Sequence, residues 1–278
     1  MRCSPAAATT GDPAAVALDG LETPLDTLLL VKLLLVPALI ALLTLAGRRY
    51  GAGVAGWLSA LPILSGPILW ILAVEQGPAF AATAAHGTLL AVLALLVYSL
   101  SYAWMAQRRH WPHCLVMALA CYGLTVVGLR EVQASLTLSL VTVLFALTLA
   151  PIAFPRIPAC VRERSSGKDL PWRMLAAVSL VLVLSASAQT LGPRLAGLLA
   201  TFPVISTVLV AFTHRESGGQ VAIRMLRGVL YGYYAFAVFC AVLAYALQTL
   251  PISGAFALAS VAALMVHAGV RPFMPRSA

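Results

Sequence analysis

The chain has 278 residues, 61% of them hydrophobic and only 10% charged, where a soluble domain carries about 25% charged residues. So few charges cannot cover so large an apolar core, which excludes a soluble globular protein and makes lipid the solvent for most of the surface. The net charge of +9 is not gathered into a basic stripe with interleaved aromatics, so the bilayer is an expected partner and nucleic acid is not.

Residues 1–26 are rich in alanine and proline and carry Asp12, Asp19, Glu22 and Asp26. They lack the basic segment followed by an apolar core that marks a signal peptide, and read as a disordered tail. Apolar runs then recur, each near the ~20 residues that a spanning helix needs. They fall at roughly 28–46, 52–74, 79–105, 112–129, 134–154, 172–188, 195–213, 221–247 and 252–268. The expected fold is therefore all-α, a polytopic membrane protein of about nine transmembrane helices. The second run is interrupted by Pro62 and Gly66-Pro67, the seventh by Pro203.

Lysine and arginine alternate with these runs. One side receives Arg48, Arg49, Arg108, Arg109, Arg156, Arg162, Arg164, Lys168, Arg215, Arg271 and Arg276; the other receives Arg2, Arg130 and Arg194. The positive-inside rule places the N-terminus outside and the C-terminus in the cytoplasm. Trp104, Trp111 and Trp172 then fall at the cytoplasmic interface, as an aromatic belt would.

A shift of 141 residues aligns the two halves without a gap: Gly51 meets Gly192, Ala55-Gly56 meets Ala196-Gly197, Pro62 meets Pro203, Ser65 meets Ser206, Glu75 meets Glu216, Gly77 meets Gly218 and Gly87 meets Gly228. Apolar residues coincide by chance in any two membrane segments, but glycine, proline, serine and glutamate at constant spacing do not. The organisation expected is a first four-helix repeat at 27–131, a linker transmembrane helix at 132–155, a cytoplasmic loop at 156–171, a second four-helix repeat at 172–270 and a C-terminal tail at 271–278. The linker makes an odd number of spans between equivalent helices, which turns the second repeat over, so the pair is of inverted topology.

The stretch 196–203 (AGLLATFP) with Glu216-Ser217-Gly218, its equivalent 55–62 (AGWLSALP) with Glu75-Gln76-Gly77, and a basic residue 24 positions before the motif glycine (Lys32, Arg173) resemble the GlpM-like family of small four-helix bacterial inner-membrane proteins. The resemblance implies a bacterial inner-membrane location and a helical fold, and brings no established reaction. Two fused copies are a departure from that family.

Paired broken helices at matching positions of an inverted repeat point to a midplane binding site, here around Pro62, Ser65, Pro203 and Ser206. Kinked packing helices are the competing reading. Lys32, His86 and Arg227 lie within spans, where an unpaired cation costs about 2.5–3.5 kcal/mol at the bilayer centre. Facing inward, they would attract an anionic or amphipathic substrate; facing outward, they would snorkel. For Arg173 and Arg224, near helix ends, snorkelling is expected. Glu75 and Glu216, each closing a broken helix, are candidate coupling or gating carboxylates; a salt bridge of Glu216 to Arg215 or Arg224 is the alternative. Tyr98 and Tyr102 in the third run, and Tyr231, Tyr233 and Tyr234 in the eighth, either line a cavity or pack.

The five cysteines are scattered without metal spacing, and no hydrolase, metalloprotease or nucleotide-binding motif is present. Neither a cofactor, a metal nor an enzymatic reaction is expected. The function indicated is secondary transport of a small anionic or amphipathic metabolite by alternating access. A passive channel of the same architecture and a non-transporting accessory membrane protein are the alternatives. The sequence sets no oligomeric state.

Overall fold

The computed structural model describes residues 24–129, 132, 134–156, 169–190 and 202–274. The tail at 1–23, loop residues 157–168, the start of the seventh run through residue 201 with its AGLLAT motif, the end at 275–278 and the side chain of Lys32 lie outside the described residues.

The described residues form ten α-helices and no strand. In chain order they are α1 (Pro24–Tyr50), α2 (Ala52–Ser59), α3 (Ser65–Glu75), α4 (Pro78–Met105), α5 (Trp111–Leu129), α6 (Leu136–Ala153), α7 (Leu170–Thr190), α8 (Val204–Ser217), α9 (Gly219–Ala246) and α10 (Ile252–Val270), with a final 3-10 turn at Arg271–Phe273. Helix α1 begins inside the stretch read as a tail. Six helices, namely α1, α4, α5, α6, α9 and α10, are long and apolar enough to cross a membrane. Side chains such as Val116, Leu124, Phe145, Ile152 and Met265 are exposed on them, an apolar outer surface that suits lipid and would be costly in water.

The second apolar run is broken where proline requires it. Pro62 has no amide hydrogen to give and its ring clashes with the preceding turn, so α2 stops at Ser59 and α3 starts at Ser65. Inside the break the backbone is satisfied locally: Gly66 N–H donates to the Pro62 carbonyl at 2.8 Å, and the Ser59 hydroxyl donates to the Gly56 carbonyl at 2.7 Å. Pro203 directly precedes α8, and its carbonyl accepts from the Thr207 N–H at 2.8 Å.

The element boundaries carry the 141-residue offset. Helices α4 and α9 both have 28 residues, α5 and α10 both have 19, and in each pair the first and last residues are 141 apart. Both long helices are entered through a glycine at positive φ, Gly77 at 91° and Gly218 at 88°, a conformation that a Cβ disfavours. This is the reason for the shared Glu-x-Gly turn.

Helices α4 and α9 pack antiparallel. Gly219, at the start of α9, lies so close to the Ala106 carbonyl at the end of α4 that a Cβ would sit 2.0 Å from it, while Ser99 meets Tyr233 further along. Around them α1 packs on α7, α3 on α10, α8 on α5, and α6 on both α4 and α9. Ring contacts mark two of these pairings: Trp70 with Phe256 at 4.9 Å and Tyr122 with Phe202 at 6.3 Å. Helix α2 lies against α9 through small residues. A Cβ on Gly56 would fall 2.0 Å from the Met225 carbonyl, and one on Gly228 1.9 Å from that of Gly53. Without a hydrophobic drive between helices in lipid, such backbone approach is a main source of helix association.

Candidate functional site

A cavity of about 620 Å³ lies where the α2–α3 break meets the start of α8. Its described walls come from the α2–α3 break (Ser59, Leu61, Leu64, Ser65), the start of α8 (Phe202, Pro203, Ser206), the middle of α4 (Gly87, Thr88, Ala91), and Tyr233 and Phe236 of α9. The walls are apolar apart from the hydroxyls of Ser59, Ser65, Thr88, Ser206 and Tyr233. No charged side chain lines it among the described residues. Lining residues extend to Leu72, Leu129 and Val132, toward the end of the molecule where Glu75 lies.

Toward the opposite end the core is closed by packed hydroxyls. Ser99 Oγ lies 3.4 Å from Tyr233 OH, Tyr98 OH 3.4 Å from Thr207 Oγ1, and Tyr102 OH 3.2 Å from His214 Nδ1. Tyr98, Ser99 and Tyr102 are fully buried, so each hydroxyl needs such a partner. At the equivalent positions of the other half stand Phe239, Cys240, Leu243, Val92, Gly66 and Ala73. The polar ladder is thus confined to the half between the cavity and the Glu216 end.

That end is sealed by charge. Asp169, just before α7, accepts from Arg48 at the end of α1 and from Arg173 on α7, and Arg173 Nη2 donates to Glu216 Oε2 at 3.0 Å. The Arg173 guanidinium also sits 5.5 Å from the centre of the Phe212 ring. Arg173 therefore does not snorkel, as its place near a helix end suggested: it is 6% exposed, because two carboxylates make burial of its charge tolerable. Glu216 forms a salt bridge, and its partner there is Arg173 of α7. Burial works against ionisation of Asp169, yet hydrogen bonds from Glu216 and Arg173, the Arg173 charge and the Arg48 bond outweigh it and hold the carboxyl below its usual value. Burial first, then the hydrogen bond to Asp169, pushes Glu216 above the usual carboxylate value, against the pull of Arg173.

The residues singled out from sequence thus separate into three groups. Ser65, Pro203 and Ser206 line the cavity, and Pro62 lies in the break between two lining residues, Leu61 and Leu64. Glu216 joins the ionic seal, while Glu75 is exposed at the end of α3. His86 and Arg227 do not line the cavity; both meet the linker helix. His86 Nε2 lies 2.8 Å from Ser139 Oγ near the start of α6, and Arg227 Nη2 donates at 2.9 Å to the Pro155 carbonyl just beyond its end. Asp169, read as part of a polar loop, and the partnership of Arg173 with Glu216 were missed. One signal would have found the pair: Arg173 and Glu216 are 43 residues apart, as are Lys32 and Glu75. No three His, Cys, Asp or Glu side chains gather as metal ligands among the described residues.

Comparison of the chain with family models, curated proteins and solved structures returned no match. The resemblance to the GlpM-like family accordingly rests on the motif residues alone.

Proposed function

We propose that this protein is a secondary transporter of a small amphipathic molecule, working by alternating access between two inverted four-helix repeats. The observation that carries the reading is the cavity at the meeting point of two proline breaks, walled by helices α4 and α9, which are 141 residues apart and antiparallel. Antiparallel packing of equivalent helices is what an inverted repeat requires, and a site at the repeat interface formed by discontinuous helices is its usual consequence. The identical helix lengths, and the contact of α6 with both α4 and α9, support the same arrangement. On this reading α2 with α3, α7, and α8 with the segment before it complete nine spans in a bacterial inner membrane, with the Glu216 end cytoplasmic. The motif resemblance to GlpM-like proteins agrees with that placement.

The cavity walls favour the amphipathic member of the expected substrate class. They offer apolar surface and five hydroxyls from described residues, the balance of a pocket that buries a hydrocarbon part and orients a hydrogen-bonding part. His86 and Arg227 anchor the linker in this scheme and do not attract substrate. Closure at the cytoplasmic end is by the Arg173–Glu216 pair; by the repeat, Lys32 and Glu75 form the equivalent closure of the outer end in the alternate state.

The test begins with metabolite profiles of cells with and without the gene, followed by uptake of the differing compound into proteoliposomes. Accumulation against a gradient is expected. Flux that only equilibrates makes the protein a channel, and no flux with a stoichiometric partner co-purifying makes it an accessory protein.

A further inference from the structure

At the Glu216 end, α1, the residue preceding α7, α7 itself and α8 bring two carboxyls and two guanidinium groups together. Asp169 and Arg173 are buried, and the side chains of Arg48 and Glu216 are 23% and 18% exposed. The cluster borders a second cavity of about 120 Å³, to which Arg48, Arg173, Glu216, Thr44 and Thr213 contribute. That volume holds about four waters at roughly 30 Å³ each. Thr44 supplies an independent sign that the cavity takes a small hydrogen-bonding guest. Its side chain is 6% exposed, it lines this cavity, and its hydroxyl has no partner among the described residues. A buried hydroxyl in that condition calls for an ordered water.

We propose that the Asp169–Glu216 carboxyl pair is a proton-binding site served by water in this cavity, and that the bound proton holds this end of the molecule closed. It rests on the transporter reading only for its consequence, proton coupling. Asp169 and Glu216 both bind the one Arg173 guanidinium, and two anions held that close repel each other. With one proton on Glu216, its O–H donates to ionised Asp169, and its other oxygen accepts from Arg173. The two arginines then face one negative charge. On release, the Glu216 O–H bond breaks, the proton passes to a cavity water and on to solvent buffer, and the electron pair stays on the carboxylate. The repulsion between the two anions then loosens the join between α7 and α8.

Among the described residues, Glu216 is the only carboxyl that lines this cavity. From α8 itself, His214 is hydrogen-bonded to Tyr102. Helix α2 presents Ala52 and Ala55 to the cavity, and α9 presents Val221 and Met225. The directions of titration agree in sign. A carboxyl raised in the closed state, as Glu216 is, favours closure at low pH and loses that contribution as pH rises through its own value. Asp169, held low, keeps both arginines ionically bound until pH falls below the ordinary carboxylate range.

Hydrogen-exchange mass spectrometry of the full chain in lipid nanodiscs tests this, with rates corrected for the intrinsic pH dependence of exchange. In the wild type, peptides at the end of α8 and the start of α7 should open more as pH rises above the ordinary carboxylate range, by up to about tenfold per unit for a single proton. Glu216→Gln keeps the shape and a donor toward Asp169, so it should stay closed with a flat pH profile. Asp169→Asn should be open throughout. The infrared band of a carboxyl still protonated above the ordinary carboxylate range should be present in the wild type and absent in Glu216→Gln. A flat wild-type profile, wild-type pH dependence in Glu216→Gln, or no protonated carboxyl band each overturns the proton site. Absence of flux with the pH response intact overturns the transporter reading and leaves the proton site standing.

Discussion

Gly228 shows how much of this molecule depends on single missing methyl groups. A Cβ there would lie 1.9 Å from the Gly53 carbonyl oxygen and 3.0 Å from the Trp57 amide nitrogen, both backbone atoms of α2. Backbone cannot swing aside as a side chain can, so the two helices must separate. Gly228→Ala is expected to destabilise by about 1–3 kcal/mol, the usual cost of overpacking, read as a lower thermal midpoint in detergent. Gly123→Ala, in α5 with nothing within 4 Å, should instead be neutral or stabilising by up to ~1 kcal/mol, since glycine costs about that much in a helix interior. Equal losses for both would refute the close-approach account. Gly228 was legible as a repeat position because its spacing matches Gly87, but its contact was not: nothing in an apolar sequence says which helix approaches which glycine. The Arg173–Glu216 pair was hidden for the same reason, since the two residues sit on different helices and meet only after α7 and α8 pack.

At the scale of elements, the linker helix is the part whose role the sequence described least. Its apolar run marked α6, and its position between the repeats marked it as a linker, but not how it is held. His86 and Arg227 occupy equivalent repeat positions and engage opposite ends of α6, at Ser139 and Pro155; Trp104 adds a bond to the Ala153 carbonyl at 2.9 Å. In sequence, an in-span cation reads equally as facing substrate, facing lipid or bracing a neighbour, because all three satisfy the same polarity pattern. The brace makes a distinct prediction. Arg227→Met removes a charge-assisted hydrogen bond and should cost about 1.5–3 kcal/mol of stability, while leaving the KM of any transported compound unchanged in the protein that remains folded. A raised KM with unaltered thermal midpoint would return Arg227 to the substrate path. The Pro62 break, in contrast, was legible in place and kind, since proline's missing donor acts locally and needs no tertiary partner to be felt.

For the whole molecule, the decisive question is the relative orientation of the halves, and the repeat supplies its own reporters. Gln107 and Gln248 stand 141 residues apart, each exposed just beyond the end of its long helix. In parallel repeats they would share one membrane face; in inverted repeats they lie on opposite faces. The structure sets Gly219, at the start of α9, beside the end of α4, which puts Gln248 at the far end of α9 from Gln107. Charge alternation led to the same expectation from sequence alone, because lysine and arginine are retained on the cytoplasmic side during insertion. In a background with the five native cysteines removed, Gln107→Cys and Gln248→Cys should react with a membrane-impermeant thiol reagent from opposite sides of sealed vesicles. Gln107→Cys should be protected in right-side-out vesicles and labelled in inverted ones, and Gln248→Cys the reverse. Labelling of both from the same side would remove the inverted repeat. With it would go the argument that the two proline breaks are paired gates around one cavity, since alternating access requires equivalent elements that face opposite solutions. Opposite labelling with the sides exchanged would keep the mechanism and reverse only the insertion direction, placing the Arg173–Glu216 seal and its proton on the outer face.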